Sequence, residues 1–487
     1  MDFPFDNSFH DRMAGFFAPA EAARPPAPRL LAFNHALAAR LGLDSMSADE
    51  EKLARLLSGA VLPAGAAPLA IAYAGHQFGH FSPQLGDGRA LLLGEIVAPD
   101  GGRFDVQLKG SGPTVFSRSG DGKAAIGPVL REYLVSEAMA VLNVPTTRSL
   151  AAVATGERVQ RERGHPGAVL TRVASSHIRV GTFQFFAAHY GAEQVARLSD
   201  YTIQRHFPDL AEAPNPHLAL LDRVIDLQCE LVARWLGVGF IHGVMNTDNV
   251  AISGETIDYG PCAFMDRFSA NTVFSSIDAH GRYAYGRQPQ IMHWNMARFA
   301  EALLPAIHAV QSDDVEAAKA LVNTVPDRFA ARWSARLRAK LGLEQAEEGD
   351  QALTDALFDA MERHGVDFTS FFRALAAWLR GERTPLESLL PAPDAMADWT
   401  QAWQARLARE GAVPHARAEA MDRANPLYIP RNHKVEAALA RAEEGDLSPW
   451  LELLEVVRAP WVPRAGYQDY AGPAPADFGP YTTFCGT

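Results

Sequence analysis

The stretch that most constrains this chain is Asn246-Thr247-Asp248-Asn249-Val250-Ala251-Ile252-Ser253-Gly254-Glu255-Thr256-Ile257-Asp258-Tyr259-Gly260. Val-Ala-Ile and Glu-Thr-Ile flank a Ser-Gly dipeptide, and such a dipeptide between two short runs reads as a two-residue hairpin turn. The predicted pairs are 252/255, 251/256, 250/257 and 249/258. Asn249 and Asp258 then oppose each other at the open end, with Cβ atoms about 4.5–5.5 Å apart. An amide oxygen and a carboxylate at that spacing can share a hard cation at about 2.0–2.1 Å per ligand. With Asp248 beside them in the loop, the arrangement suits Mg²⁺ holding a nucleoside triphosphate. The competing interpretation is an Asn/Asp-rich turn that caps its own backbone.

Composition limits the classes to which the chain can belong. Its 487 residues are 48% hydrophobic and 21% charged, ordinary globular usage, so overall disorder and collagen-like repetition are excluded. The net charge of −12 argues against general nucleic-acid binding. Residues 101–180 nevertheless carry more Lys and Arg than Asp and Glu, which suits a small polyanion such as a nucleotide phosphate, or a solvated basic face. Three cysteines, Cys229, Cys262 and Cys485, cannot build a disulfide framework. The N-terminus carries acids early and lacks an apolar core, so no signal peptide is expected. The uncharged run from Leu56 to Gly86 contains three prolines, several glycines, His76, Gln77, His80 and Gln84; it reads as buried loop and strand rather than a membrane helix. The expectation is a soluble, cytoplasmic protein with no membrane or nucleic-acid partner.

Residues 1–70 are rich in Ala and Pro, with one short helical pattern near Leu30 to Leu43. Strand-like alternation follows over 85–110, where Ala90–Val97 and Arg103–Lys109 are joined by Pro99-Asp100-Gly101-Gly102, a hairpin signal. A helix is predicted over Gly127 to Val144, with Pro128 at its first position, and another over His217 to Leu236. Amphipathic helices dominate beyond about residue 290, and the last residues read as an extended tail.

Several polar groups punctuate this frame. Gly86-Asp87-Gly88-Arg89 enters a strand, and its glycines would let the backbone approach phosphates or simply form a turn. Lys109 ends the next strand just before Gly110-Ser111-Gly112 and resembles the phosphate-binding lysine of kinase-type folds. It needs a carboxylate, and Glu132 and Glu137 on the following helix are the candidates. Ser119-Gly120-Asp121-Gly122-Lys123 is a second glycine-rich turn before a helix start, where amides favour anions. Arg172 and Arg179 lie seven apart, on one face if helical and on opposite faces if extended. Arginine forks suit phosphate oxygens, and equally suit surface ion pairs. His76 and His80 share metal-ligand spacing but lack a third ligand, so a hydrogen-bonded structural role is favoured for them and Gln77.

These motifs together resemble the selenoprotein O family of pseudokinase-like adenylyltransferases. The matching stretches are Tyr73-Ala74-Gly75-His76-Gln77-Phe78-Gly79-His80-Phe81, Leu85–Ala90, Gln107–Gly112, Ser119–Gly122, Gly243–Asn249 and Ile257-Asp258-Tyr259-Gly260-Pro261, with Asn425-Pro426 and Arg431-Asn432 further on. The resemblance implies a bacterial member with an α+β, protein-kinase-like two-lobed fold. It divides the chain into an N-terminal extension (1–70), an N-lobe-like nucleotide-binding part (71–180), a C-lobe-like part with the metal site (181–340) and a helical C-terminal region with a tail (341–487). It further implies transfer of AMP from ATP to Ser, Thr or Tyr hydroxyls of proteins, with pyrophosphate leaving and Mg²⁺ or Mn²⁺ as cofactor, and uridylyl transfer from UTP stands open beside it. By motif, Gly86, Gly88 and Arg89 belong to the phosphate loop, and Lys109, paired with Glu132, contacts phosphates. Asp121, Gly122, Arg172 and Arg179 contact the nucleotide, as does Asp258. Asp248 is the implied base, and Asn249 and Asp258 are the implied metal ligands. His242-Gly243-Val244 stands where an active kinase has His-Arg-Asp, which makes γ-phosphoryl transfer the lesser expectation; a scaffold that binds ATP without catalysis is the other alternative. Family members carry a selenocysteine or cysteine near the C-terminus, here Cys485. Its implied partner position falls at Phe274-Ser275-Ser276, which has no thiol, so an intramolecular redox switch is not expected.

Overall fold

The structure, a computed structural model, describes residues 3–43, 49–392, 394–411 and 414–484. Helix and sheet are mixed, and the sheet is concentrated in the first part of the chain. Its strands in chain order are β1 (Phe17–Pro19), β2 (Arg29–Phe33), β3 (Leu69–Ile71), β4 (Gly75–Gln77), β5 (His80–Ser82), β6 (Ala90–Val97), β7 (Arg103–Lys109), β8 (Ala124–Ala125), β9 (Arg148–Gln160) and β10 (Gly164–Ala174). An antiparallel sheet runs β1-β3-β6-β7-β10-β9-β2, with β8 attached to β10. Strands β4 and β5 form a separate hairpin. The small strands β11 (Phe240–Ile241) and β12 (Ala263–Phe264) pair with each other further on.

The β6–β7 hairpin forms as its alternation predicts. Ala90 pairs with Lys109 and Val97 with Arg103, and the Asp100 side chain caps the turn by accepting from Gly102 N at 2.9 Å. The pleat sends Val106 and Leu108 to one face, in a core with Leu91, Leu93 and Val153. Asp105, Gln107 and Lys109 share the other face.

The helix predicted over 127–144 spans Ile126–Val141, and the one predicted over 217–236 spans Pro216–Gly237, capped by the Asn215 side chain. The first of these is clamped from outside. Leu130, Leu134 and Ala138 share a core with Ala168 and Leu170 of β10, and with Val435, Leu439, Trp450 and Leu453 of the helices Asn432–Glu443 and Ser448–Val457. Trp450 donates its indole N–H to Leu130 O at 3.1 Å and meets the Tyr133 ring edge-on. Helices 288–310, 350–364 and 368–379 bear out the amphipathic patterns of the C-terminal half.

Two expectations are corrected. Leu30 begins no helix: Arg29–Phe33 is strand β2, paired with β9, and the helix is confined to His35–Arg40. Tertiary pairing with a long strand overrides the weak local pattern. The hairpin across Ser253-Gly254 is not a ladder either. A turn forms, with Gly254 N donating to Ala251 O at 3.1 Å, but its arms pair outward. Ala251 bridges Arg179, and Thr256 bridges Thr146. No helix among the described residues is long and apolar enough to cross a membrane.

Trp450 is fully buried against the helix that carries Glu132. Trp450→Ala should cost about 3–5 kcal/mol, the usual toll of emptying an aromatic site, measured as a shift in the urea midpoint at unchanged slope.

Candidate active site

Lys109, at the end of β7, points from the sheet towards the helix Ile126–Val141. Its Nζ lies 2.6 Å from Glu132 Oε2 and 2.6 Å from Asp258 Oδ1. Glu132 is thus the partner of Lys109; Glu137 turns the other way, to Arg148 at 2.8 Å and Asn34 at 2.7 Å.

Arg172 and Arg179 meet on the same carboxylate, though neither the helical nor the extended alternative describes both. Arg172 sits in β10, directly across from Gln107, whereas the chain turns after Ala174 and Arg179 caps the helix Val180–His189. Arg172 Nη1 reaches Asp258 Oδ1 at 2.7 Å and Glu132 Oε1 at 3.1 Å. Arg179 Nη1 reaches Asp258 Oδ2 and the Asp248 carbonyl, each at 2.7 Å. Asp258 itself has φ 65°, a left-handed conformation that costs a non-glycine residue about 1 kcal/mol or more and is kept where the surroundings demand it. Burial raises its proton affinity, but Lys109, Arg172 and Arg179 outweigh burial and hold the carboxyl well below the usual range.

Around this centre the other candidates fall into two groups. Asp248 lies in the short turn Thr247–Asn249 and is buried, which pushes its carboxyl up to about 6 against the pull of Arg179. Gly86-Asp87-Gly88-Arg89 runs between β5 and β6. Gly86 has φ 122°, and a Cβ there would strike the Phe116 ring; a Cβ on Gly88 would lie 2.9 Å from Phe116 O. Close packing of the 113–118 loop is therefore one requirement for these glycines. Arg89 makes no ion pair with any described residue. Asp121 and Gly122 stand apart from the central network. Asp121 pairs with Arg161 at 2.9 Å, and Gly122 backs onto Gly112. Arg161 in turn lines a cavity of about 630 Å³ together with Arg131, Gly127 and Gly260, two residues beyond Asp258.

A metal at Asn249 and Asp258 requires free oxygen donors. Asn249 donates its Nδ2 to Val244 O at 3.0 Å, which leaves its Oδ1 as the coordinating atom. Among the described residues no cluster of three or more His, Cys, Asp or Glu could hold a metal. Both oxygens of Asp258 are occupied by Lys109, Arg172 and Arg179, so a hard cation could share this carboxylate only if those side chains turned to phosphate oxygens.

Sequence reasoning passed over Gln107, Tyr73 and Gln184. Gln107 accepts from Arg172 Nε and Nη2 at 3.1 and 2.6 Å and donates to Asp87 at 3.2 Å. The Tyr73 ring lies 4.7 Å under the Arg179 guanidinium. The signal for Gln107 was present: three polar residues, 105, 107 and 109, recur with period two on a buried strand. His76 keeps the structural role expected of it, with Nδ1 bonded to Gln184 at 2.9 Å and its ring against Trp294. Cys262 is free and buried, its thiol pushed up to about 12 by burial. Thr483 runs beside 274–276, bonded to Phe274 O and Ser276 N, while Cys485 lies outside the described residues.

Comparison with known proteins identifies the family of the chain. The family model described as "Protein adenylyltransferase SelO" matches residues 1–458. A protein of Sphingopyxis alaskensis named "Protein nucleotidyltransferase YdiU" is 75% identical over 487 residues, covering 100% of both chains. Proteins of the same name from Cereibacter sphaeroides (strain ATCC 17025) and Chromobacterium violaceum are 57% and 55% identical, covering 100% and 97% of this chain and 100% and 99% of their own. The chain belongs to the SelO family and is an enzyme, a nucleotidyltransferase.

Two outcomes are expected from the charges. Asp258→Asn leaves three buried cations without their shared counter-charge and should destabilise the ligand-free enzyme by about 3 kcal/mol or more in urea. His177 is fully buried, with Nδ1 on Asp105 at 2.9 Å, and burial pushes it down to about 4. The unfolded chain therefore takes up this proton first, near pH 6.5. The stability of the neutral form is intact above pH 6.5 and is lost as pH falls towards 4. The gap in unfolding free energy between wild type and His177→Asn should shrink by roughly 3 kcal/mol over that window; parallel pH profiles would contradict it.

Proposed function

We propose that this enzyme transfers AMP from ATP to Ser, Thr or Tyr hydroxyls of protein substrates, releasing pyrophosphate, on a protein-kinase-like two-lobed fold. The observation that carries this reading is the convergence of Lys109, Arg172 and Arg179 on one strained carboxylate, Asp258. Three buried cations on one anion are a receptor for a more highly charged anion, and a triphosphate supplies one. A strand lysine paired with a helix glutamate, Lys109 with Glu132, favours the kinase-like architecture by analogy.

In this reading Asn249 and Asp258 would hold Mg²⁺ or Mn²⁺, which would supply charge neutralisation to the triphosphate. Lys109, Arg172 and Arg179 turn from Asp258 to phosphate oxygens, and Glu132 keeps Lys109 in place. Gly86, Gly88 and Arg89 close over the phosphates. Asp121 and Gly122 contact the nucleotide on the side of the Arg131–Arg161 cavity. The acceptor oxygen attacks the α-phosphorus, the bond from that phosphorus to the bridging oxygen breaks, and pyrophosphate departs with the pair. Asp248 takes the hydroxyl proton; a carboxyl raised to about 6 is a better base for this purpose than an ordinary one. The cationic cradle stabilises charge on the leaving pyrophosphate, and positioning supplies much of the rate.

ATP labelled at the α-phosphate should label acceptor protein, and ATP labelled at the γ-phosphate should not. Asp248→Asn should lower the α-label transfer by about 10²-fold or more. Label arriving only from the γ position would make the enzyme a kinase, and label from neither would leave an ATP-binding scaffold.

A further inference from the structure

The β4–β5 hairpin stands outside the main sheet, yet its residues address the active-site loop almost one for one. His76 N donates to Thr247 Oγ1 at 2.7 Å, Gln77 Nε2 to Asp248 Oδ2 at 3.3 Å, and Phe78 N to Asn246 Oδ1 at 3.0 Å. Behind the loop, Thr247 Oγ1 donates to Gln184 Oε1 at 2.6 Å, and Tyr283 Oη donates to Asn246 Oδ1 at 2.6 Å. The hairpin is closed by Phe78 (φ 52°) and Gly79 (φ 89°), with Gln77 paired to His80. Two positive φ values in a two-residue turn are what a tight hairpin needs, and a phenylalanine is a costly residue to place there. The strain is held where Phe78 N meets Asn246 and the Phe78 ring meets Tyr283.

Successive strand residues point to opposite sides. His76 therefore faces Trp294 and Gln184 while Gln77 faces Asp248. Gly75 completes the contact. A Cβ there would collide with the Asp248 carboxylate, lying 2.9 Å from its Cγ. Asp248 Oδ1 is buried against this glycine and has no hydrogen-bond partner among the described residues, whereas Oδ2 carries the Gln77 amide.

We propose that the β4–β5 hairpin positions the base and that Gln77 is a positioning residue. Its side-chain amide fixes the Asp248 carboxylate through Oδ2 while Gly75 packs against the buried Oδ1, so the orientation of the base is set from both sides. This inference rests on the reading of Asp248 as the base. Because Gln77 acts through Asp248, its loss should appear in turnover and not in ATP binding.

The test compares wild type, Gln77→Ala, Gly75→Ala, Asp248→Asn and the double variant Q77A/D248N, with α-labelled ATP, Mg²⁺ and casein as acceptor probe. Gln77→Ala should lower kcat about tenfold, the value of one hydrogen bond to a charged group, with KM for ATP changed less than about twofold and Tm held within about 2 °C. Gly75→Ala should lower kcat by a similar factor through displacement of the carboxylate. In the Asp248→Asn background Gln77→Ala should cost nothing further, because the two act as one unit. A wild-type kcat for Gln77→Ala overturns the inference, as does an equal loss with and without Asp248, which would mark a structural role. If Asp248→Asn is crippled while Gln77→Ala is not, the positioning inference alone falls. If Asp248→Asn keeps its rate, the reading of the base falls and takes this inference with it.

Discussion

The structure depends on one carboxylate that balances three cations drawn from separate parts of the chain. Lys109 comes from β7, Arg172 from β10 and Arg179 from the start of the helix Val180–His189, and all three reach Asp258 within 2.7 Å. Inside a protein an unpaired charge costs several kcal/mol, and like charges brought together cost more. The three cations can stand side by side only while an anion stands among them. In this structure that anion is Asp258, helped by Glu132; in the function proposed above the phosphate chain would take its place during nucleotidyl transfer. The same electrostatics keep the empty site folded and make it receptive.

Holding such a centre requires rigid walls, and the fold provides them from both ends of the sequence. The helix bearing Glu132 is packed from outside by Trp450, Val435 and Leu439, so the C-terminal helices bear directly on the Lys109 pair. The tail adds a second contact, with Thr483 Oγ1 donating to Pro261 O at 2.7 Å just beyond Asp258. His242 stands where the kinase comparison would put the first residue of His-Arg-Asp. Its Nε2 donates to the Ile257 carbonyl at 2.9 Å and so fixes the backbone one residue before Asp258. The histidine thus has a scaffolding task beside Asp258.

Much of the candidate site was legible because its residues interrupt regular patterns. Lys109 closes an alternating strand, Asp248 and Asp258 sit in a polar stretch between apolar runs, and the glycine turns flank strand ends. The resemblance to the SelO family added roles that periodicity could not. The failures have a common cause. The stretch 249–258 has the local pattern of a hairpin, but its arms found better partners in Arg179 and Thr146 than in each other. Leu30 lies in a helical pattern, but β9 offered it a strand. Local sequence ranks the conformations a segment can adopt, and long-range hydrogen bonding selects among them.

The sequence by itself determined the β6–β7 hairpin, the long helices, the acidic balance with a basic zone over 101–180, and the residue types able to bind phosphates and a hard cation. Period-two and period-3.6 patterns and turn chemistry are local properties, so they can be read without coordinates. Only the tertiary structure decided that Glu132 rather than Glu137 meets Lys109, that two arginines from a strand and a helix cap meet on Asp258, and that Gln77 reaches Asp248 across the fold. Those contacts join residues tens to well over a hundred positions apart. Nothing in the intervening chain encodes their distance; it follows from how sheet, helices and hairpin pack around one buried charge.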